Sequence, residues 1–136
     1  MEIAAIMQTD VVSVRSDATV RDAILLLEDW HIRHLPVVDG GRLVGMVSDG
    51  DLRDYRLPLI DEIEDPDYAD EMLTRSVSEL MSEDVVTLDP EDSIKAAIEA
   101  MITGKLGAVP VVSARDDTLV GIVSYIDVLR MVRDTL

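Results

Sequence analysis

Cysteine and phenylalanine are absent from this chain, and it has two histidines and one tryptophan in 136 residues. Without cysteine there is no disulfide and no thiolate metal site, which fits the reducing cytoplasm where we expect the protein to work. Lysine stands only at positions 95 and 105; Lys and Arg total 12 against 28 Asp and Glu, for a net charge of -16. A surface of that sign repels phosphate backbones, so nucleic acid is not an expected partner. No apolar run approaches the ~18 residues that span a bilayer, and no charged segment leads into an apolar stretch as a signal peptide would, so no membrane partner is expected either. His31 and His34 share one short turn, and no phosphate loop of the G-x-x-x-x-G-K type occurs. No catalytic set can be assembled from what is left, and the sequence argues against an enzyme. The acidic stretch from Leu59 to Glu71 lacks the D-x-[DN]-x-[DN]-G spacing of a calcium loop, so no metal ligands are assigned.

What the sequence does contain is a repeat. Leu43-Val44-Gly45-Met46-Val47-Ser48-Asp49-Gly50-Asp51 returns as Leu119-Val120-Gly121-Ile122-Val123-Ser124-Tyr125-Ile126-Asp127. Upstream, Asp10 to Val14 matches Asp84 to Leu88, and Leu35-Pro36-Val37-Val38 matches Val109-Pro110-Val111-Val112, at a spacing of 74. The spacing widens to 76 after the hairpin, where the second copy gains two residues. Internal repetition of this kind organises the fold before any local signal does.

Each copy of about 50 residues reads as strand, helix, strand, strand, helix. In the first, Val11 to Val14 is a β-branched strand. Thr19 with Asp22 caps a helix to about Trp30 that carries Val20, Ala23, Ile24, Leu27 and Trp30 at helical spacing. His31 to His34 connects to the Leu35–Val38 strand, Asp39-Gly40-Gly41-Arg42 turns, Leu43 to Val47 returns, and a helix is expected from about Asp49 to Tyr55. In the second, Val85 to Leu88 is a strand, Pro90 to Ser93 caps a helix bearing Ile94, Ala97, Ile98, Met101 and Ile102, and the last helix runs from about Tyr125 to Arg133 with Ile126, Leu129 and Val132 on one face. The fold class is therefore α/β (α+β): two β-α-β-β-α repeats, each a small mixed sheet flanked by helices, because a strand–helix–strand crossover calls for a parallel pair and the hairpin for an antiparallel one. We assign residues 1–55 to the first repeat, 56–76 to an acidic linker read as a solvated loop, and 77–136 to the second repeat, with Ser76 to Met81 a short helix leading into it. One such repeat is too small to bury its own apolar face, and two together are not.

The ordered set of Leu35-Pro36-Val37-Val38-Asp39 with the Gly45 to Asp51 stretch, and Val109-Pro110-Val111-Val112 with the Gly121 to Asp127 stretch, resembles a tandem pair of cystathionine β-synthase (CBS) domains, a Bateman module. The resemblance covers nearly the whole chain outside the linker. It implies one module with a pseudo-twofold axis between the repeats, two clefts for adenosine-containing ligands, a disc-like homodimer, and a regulatory role that acts on an effector protein. In relatives that bind AMP or ATP, the Ser/Thr-x-x-Asp pair holds phosphate and ribose. Carried over, this assigns Ser48 and Asp51, and Ser124 and Asp127. A basic pair before the Leu-Pro step contacts phosphate in several relatives, and Arg33 and His34 match it; Gly107 and Ala108 do not. Apolar residues sandwich the adenine in relatives, which makes Met81, Val86, Leu106 and Gly107 the candidates.

The chemistry of the residues agrees with a ligand role and also with a simpler one. A helix start attracts phosphate, and a carboxylate can accept both ribose hydroxyls. Ser-x-x-Asp is also close to a capping box, in which the two residues satisfy each other. The expected function is a sensor of an adenine nucleotide or S-adenosylmethionine, with no obligatory cofactor; the alternatives are a ligand-free interaction scaffold and a divalent-cation sensor working through the acidic linker.

Overall fold

Residues 1–60 and 64–136 are described by a computed structural model. They pack as two compact units, one formed by Val12–Gly40 with Val44–Val85, the other by Met1–Val11, Gly41–Leu43 and Val86–Leu136.

In the first of these, strand β1 (Val14–Arg15) lies parallel to β2 (His34–Asp39), with Val14 opposite Val37. Between them runs helix α1 (Val20–Trp30). Thr19 Oγ1 accepts from the Asp22 N–H at 3.1 Å, and the Asp22 carboxylate accepts from the Thr19 N–H at 3.2 Å. That reciprocal box satisfies two of the helix's unpaired donors. The helix buries Val20, Ala23, Ile24 and Leu27, and it ends at His31 in the left-handed conformation, φ 52°, a common helix stop. Strand β3 (Arg42–Ser48) returns beside β2 through Gly40 and Gly41, at φ 58° and 80°, the sign that a two-residue hairpin of type I′ requires at both positions. Helix α2 (Arg53–Ile60) and helix α3 (Pro66–Leu73) complete the unit.

The second unit repeats the plan. Helix α4 (Ile94–Gly104) starts at Ser93, whose Oγ accepts from the Ala96 N–H at 3.1 Å, and stops at Lys105 with φ 53°. Strands β4 (Ala108–Val112) and β5 (Leu119–Ser124) are antiparallel, and helix α5 (Tyr125–Thr135) follows directly. Each unit has its own apolar core. Ile24, Leu27, Leu35, Val37, Val47, Leu52, Leu73 and Val77 fill one; Ile3, Val109, Val111, Val123 and Val128 are among those that fill the other. Burial of each such side chain contributes about 1.5–3 kcal/mol before conformational entropy is subtracted.

Several expectations are corrected. The first strand of each copy is shorter than its β-branched run: two residues pair in β1, and in the second copy a single parallel bridge joins Leu88 to Val111. These positions match at the 74-residue spacing, so the crossover survives as a stub; the rest of each run pairs with no strand among the described residues. The helix expected from Asp49 starts at Arg53 instead, because Asp49-Gly50-Asp51 contains glycine and two competing carboxylates, poor helix formers that favour turns, and the chain there closes short bonds from Asp51 N–H to Ser48 O and Leu52 N–H to Asp49 O. Part of the acidic linker is helix α3 rather than loop. Asp65 caps it, Pro66 takes its first position, and Ala69 and Leu73, four apart on one face, are buried. This is a proline-led helix start that net acidity obscured. Asp61, Glu62 and Ile63 of that linker lie outside the described residues. The face of α5 carrying Ile126, Leu129 and Val132 is exposed, and Asp127 and Val128 point inward; Trp30 at the end of α1 and Ile102 near the end of α4, expected on apolar faces, are exposed as well.

The short lead-in segments pack with the opposite copy. Val77–Glu79, a single 3₁₀ turn, buries Val77 in the core of the first copy, with Val77 N–H donating to Ala18 O at 2.8 Å. Ile3–Ala5 does the same in the second, with Ile3 N–H donating to Asp92 O at 2.8 Å. Each lead-in then bridges a return strand: Met46 and Ser82 exchange two backbone hydrogen bonds of 2.9 Å, and Ile122 and Gln8 exchange two of 2.9 and 3.0 Å. Glycine makes this approach possible. A Cβ at Gly45 would stand 2.5 Å from Met81 Sδ and 3.0 Å from Ser82 O; one at Gly121 would stand 2.7 Å from Met7 Sδ and 3.0 Å from Gln8 O.

Met81 can swing aside, but the Ser82 carbonyl is held by its bond to Met46. We therefore expect Gly45→Ala to lower stability by about 1–3 kcal/mol, the range for overpacking, measured by chemical denaturation. A variant as stable as wild type would show that the bridge yields easily.

Candidate functional site

Both Ser-x-x-Asp steps close on themselves. Ser48 N–H and Ser48 Oγ donate to Asp51 Oδ2 at 2.8 and 3.0 Å, and Asp51 N–H donates to Ser48 Oγ at 3.3 Å. Ser124 and Asp127 reproduce these values: 2.8, 3.0 and 3.3 Å. The capping geometry is thus present in both copies, as the start of α5 in one and as a closed turn two residues ahead of α2 in the other.

The surroundings differ. Around Asp51 the chain assembles cations. Arg33 is exposed, and its carbonyl accepts from the Asp49 N–H at 2.9 Å, which brings the end of the α1–β2 connection against the turn. His34, half-buried at the start of β2, senses Arg33, Asp49 and Asp51 electrostatically. Arg56, on α2, pairs with Glu28 of α1 at 2.8 Å and with Asp49. Sequence reasoning placed Arg56 in the linker; its spacing of two helical turns from Asp49 was the signal available. Met81 is partly buried against the same core. Among the described residues, no donor reaches Asp51 Oδ1.

At Asp127 the positions that match Arg33 and His34 are Gly107 and Ala108. Gly107 occupies the place of Arg33: its carbonyl accepts from the Tyr125 N–H at 3.0 Å, the counterpart of the Arg33–Asp49 bond. Asp127 is 7% exposed, and its second oxygen, Oδ1, accepts from Gln8 Nε2 at 2.9 Å. Gln8 was not anticipated, because nothing in an apolar lead-in marks one amide as reaching a residue 119 positions away. Val86, exposed, and Leu106 and Gly107, half-buried, belong to this unit with Ser124 and Asp127; Arg33, His34, Ser48, Asp51 and Met81 belong to the other. No group of three or more His, Asp or Glu among the described residues is arranged to hold a metal ion.

Comparison with known proteins reports on the same architecture. The CBS domain family profile matches residues 3–58 and 77–134. The protein MJ1225 of Methanocaldococcus jannaschii is 29% identical over 133 residues, covering 93% of this chain and 47% of that protein; its crystal structure superposes with a TM-score of 0.85 at 27% identity, covering 100% of this chain and 51% of that one. The CBS domain pair of MJ0100, solved in complex with 5′-methylthioadenosine and S-adenosyl-L-methionine, shares the fold with a TM-score of 0.79 at 22% identity, covering 100% and 98%. CBSX2, solved in complex with AMP, shares it with a TM-score of 0.81 at 24% identity, covering 98% and 97%. The chain spans 47%, 21% and 24% of the first three curated relatives it matches.

The environment of His34 makes a pH prediction. Burial pushes its pKa below the usual 6.5 and Arg33 adds to that, while Asp49 and Asp51 oppose it. Just below pH 6.5 the unfolded chain therefore carries more of this proton than the folded one, so the His34 contribution favours folding above the unfolded pKa and is lost as pH falls through it. Between pH ~7 and ~5.5 the melting temperature of the wild type should fall more steeply than that of His34→Asn. Parallel curves would show that the site leaves His34 unperturbed.

Proposed function

Because the chain belongs to the CBS domain family in both of its repeats, we propose that it is a regulatory module, not an enzyme, that senses an adenosine-containing ligand at the Ser48–Asp51 step. The observation that carries this is Asp51 Oδ1, which no donor reaches among the described residues, on a turn where Asp49 is bonded to the Arg33 carbonyl and to the Arg56 guanidinium and where His34 feels both carboxylates. A ribose diol can donate to that oxygen, and phosphate oxygens or another anionic group can accept a charge-assisted bond from the Arg33 guanidinium and a neutral one from the His34 imidazole. Met81 offers an apolar surface for the base. That CBS pairs of the same fold were solved with AMP and with S-adenosyl-L-methionine supports the ligand class; AMP, ADP, ATP and S-adenosylmethionine all fit this chemistry. Ligand binding regulates only through a difference in affinity between two states. Arg56 supplies a route: an anionic group beside Asp49 competes for its guanidinium, and Arg56 is tied through Glu28 to α1. The exposed Ile126, Leu129 and Val132 on α5 support a homodimer, and the module acts on an effector protein.

A second reading is favoured by the capping geometry itself: two satisfied Ser-x-x-Asp boxes need no ligand, and the chain is then an interaction scaffold.

Thermal unfolding with AMP, ADP, ATP, S-adenosylmethionine and Mg²⁺ in turn separates these. A ligand at ~100 times its dissociation constant stabilises by about 2.7 kcal/mol, a shift of a few degrees for a chain of this size. We expect an adenosyl ligand to give that shift in wild type and in Asp127→Ala and to lose it in Asp51→Ala. No shift with any of them would leave the scaffold reading, and a shift with Mg²⁺ alone would favour cation sensing.

A further inference from the structure

The two Ser-x-x-Asp steps have matched internal geometry, yet one carboxylate is sealed and the other is not. The difference traces to one pair of matched positions. Gln8 bridges Ile122 through its backbone, and Ser82, 74 residues later, bridges Met46 in the same way. Their neighbours agree in register, since Met7 lies against Gly121 and Met81 against Gly45. Gln8 and Ser82 are therefore equivalent residues next to equivalent carboxylates. The glutamine side chain is long enough to donate to Asp127 Oδ1 at 2.9 Å. Serine is two heavy atoms shorter, and among the described residues nothing donates to Asp51 Oδ1. With its three donors Asp127 is 7% exposed, whereas Asp51 remains half-buried.

We propose that Gln8 is a built-in occupant of the second step: its amide takes the carboxylate oxygen that a ribose hydroxyl would need, and Ser82 at the matching place leaves the first step open. The identity of this one residue then sets the number of ligands per chain. A ribose at Asp127 would have to strip off the Gln8 amide and leave it unpaired, a cost that Asp51 does not impose. The inference rests on the adenosyl-binding reading and adds to it the reason that one step works and the other does not.

The test exchanges the two residues. Gln8→Ser gives the second step what the first already has; Ser82→Gln gives the first step the amide of the second. Neither change touches Ser48, Asp51, Arg33 or His34. Isothermal titration of the full chain uses adenosine, which needs no phosphate-binding cation, and AMP. Wild type should bind one adenosine per chain, Gln8→Ser two, and Ser82→Gln should bind at the first step at least about tenfold more weakly, a difference of 1.4 kcal/mol. The double exchange, Gln8→Ser with Ser82→Gln, should bind one adenosine that Asp127→Ala abolishes and Asp51→Ala does not. Thermal unfolding identifies a misfolded variant, and Ser82→Gln alone then carries the test, since it removes nothing buried. Two equal sites in wild type, or unchanged binding in Ser82→Gln, would overturn the role of Gln8 while leaving the adenosyl-binding reading intact. No binding of adenosine or AMP by any of the proteins would overturn both.

Discussion

In each unit a lead-in segment lies antiparallel against a return strand, close enough that a side chain on the strand residue beneath it would crowd the lead-in. Met46 exchanges backbone hydrogen bonds with Ser82, and Ile122 with Gln8; Gly45 and Gly121 make room for the methionines that precede those partners. This contact decides which side chains stand beside the Ser-x-x-Asp steps, because each step begins two residues after the bridged position. It also ties Ile3 and Val77 into cores belonging to the opposite copies. The lead-ins are thus structural parts of the Ser-x-x-Asp steps they border.

The repeat supplies two equal frameworks and the differences are electrostatic. Hydrogen bonds within the two Ser-x-x-Asp boxes agree in length, and so do the carbonyl contacts from Arg33 to Asp49 and from Gly107 to Tyr125. Arg33, His34 and Arg56 gather on one side, while the other has glycine, alanine and an internal amide. In a chain of net charge -16, Arg33 and Arg56 make the local field on that side less negative than the total suggests, since exposed charges beyond about a Debye length are screened and the near ones dominate.

Periodicity and repetition made most of the fold legible. The helices α1 and α4, the hairpin strands and the Gly40-Gly41 turn stand where apolar spacing, Thr19 and Ser93 caps and paired glycines place them. The first strands were less legible because β-branched runs mark the capacity to pair and not the presence of a partner, and β1 finds one for two residues only. Helix α3 was hidden by its charge, although Asp65-Pro66 with Ala69 and Leu73 carried its start and its buried face. Of the site, Ser48, Asp51, Arg33, His34 and Met81 come together in one unit. Arg56 and Gln8 escaped notice for opposite reasons. Arg56 depended on α2 extending beyond Tyr55, and Gln8 on a contact between the first residues of the chain and the last helix, which no local pattern encodes.

Methionine offers a direct probe of whether an adenosyl ligand is sensed at the Ser48–Asp51 step and not at its counterpart. Met81 and Met7 are matched residues, each against a glycine beside one of the two steps, and both can be followed as ¹³C-methyl resonances while AMP or S-adenosylmethionine is added. Met81 and Met46 should shift and saturate together while Met7 stays in place. Equal movement of Met7 and Met81, or movement of Met7 alone, would contradict sensing at the Ser48–Asp51 step alone.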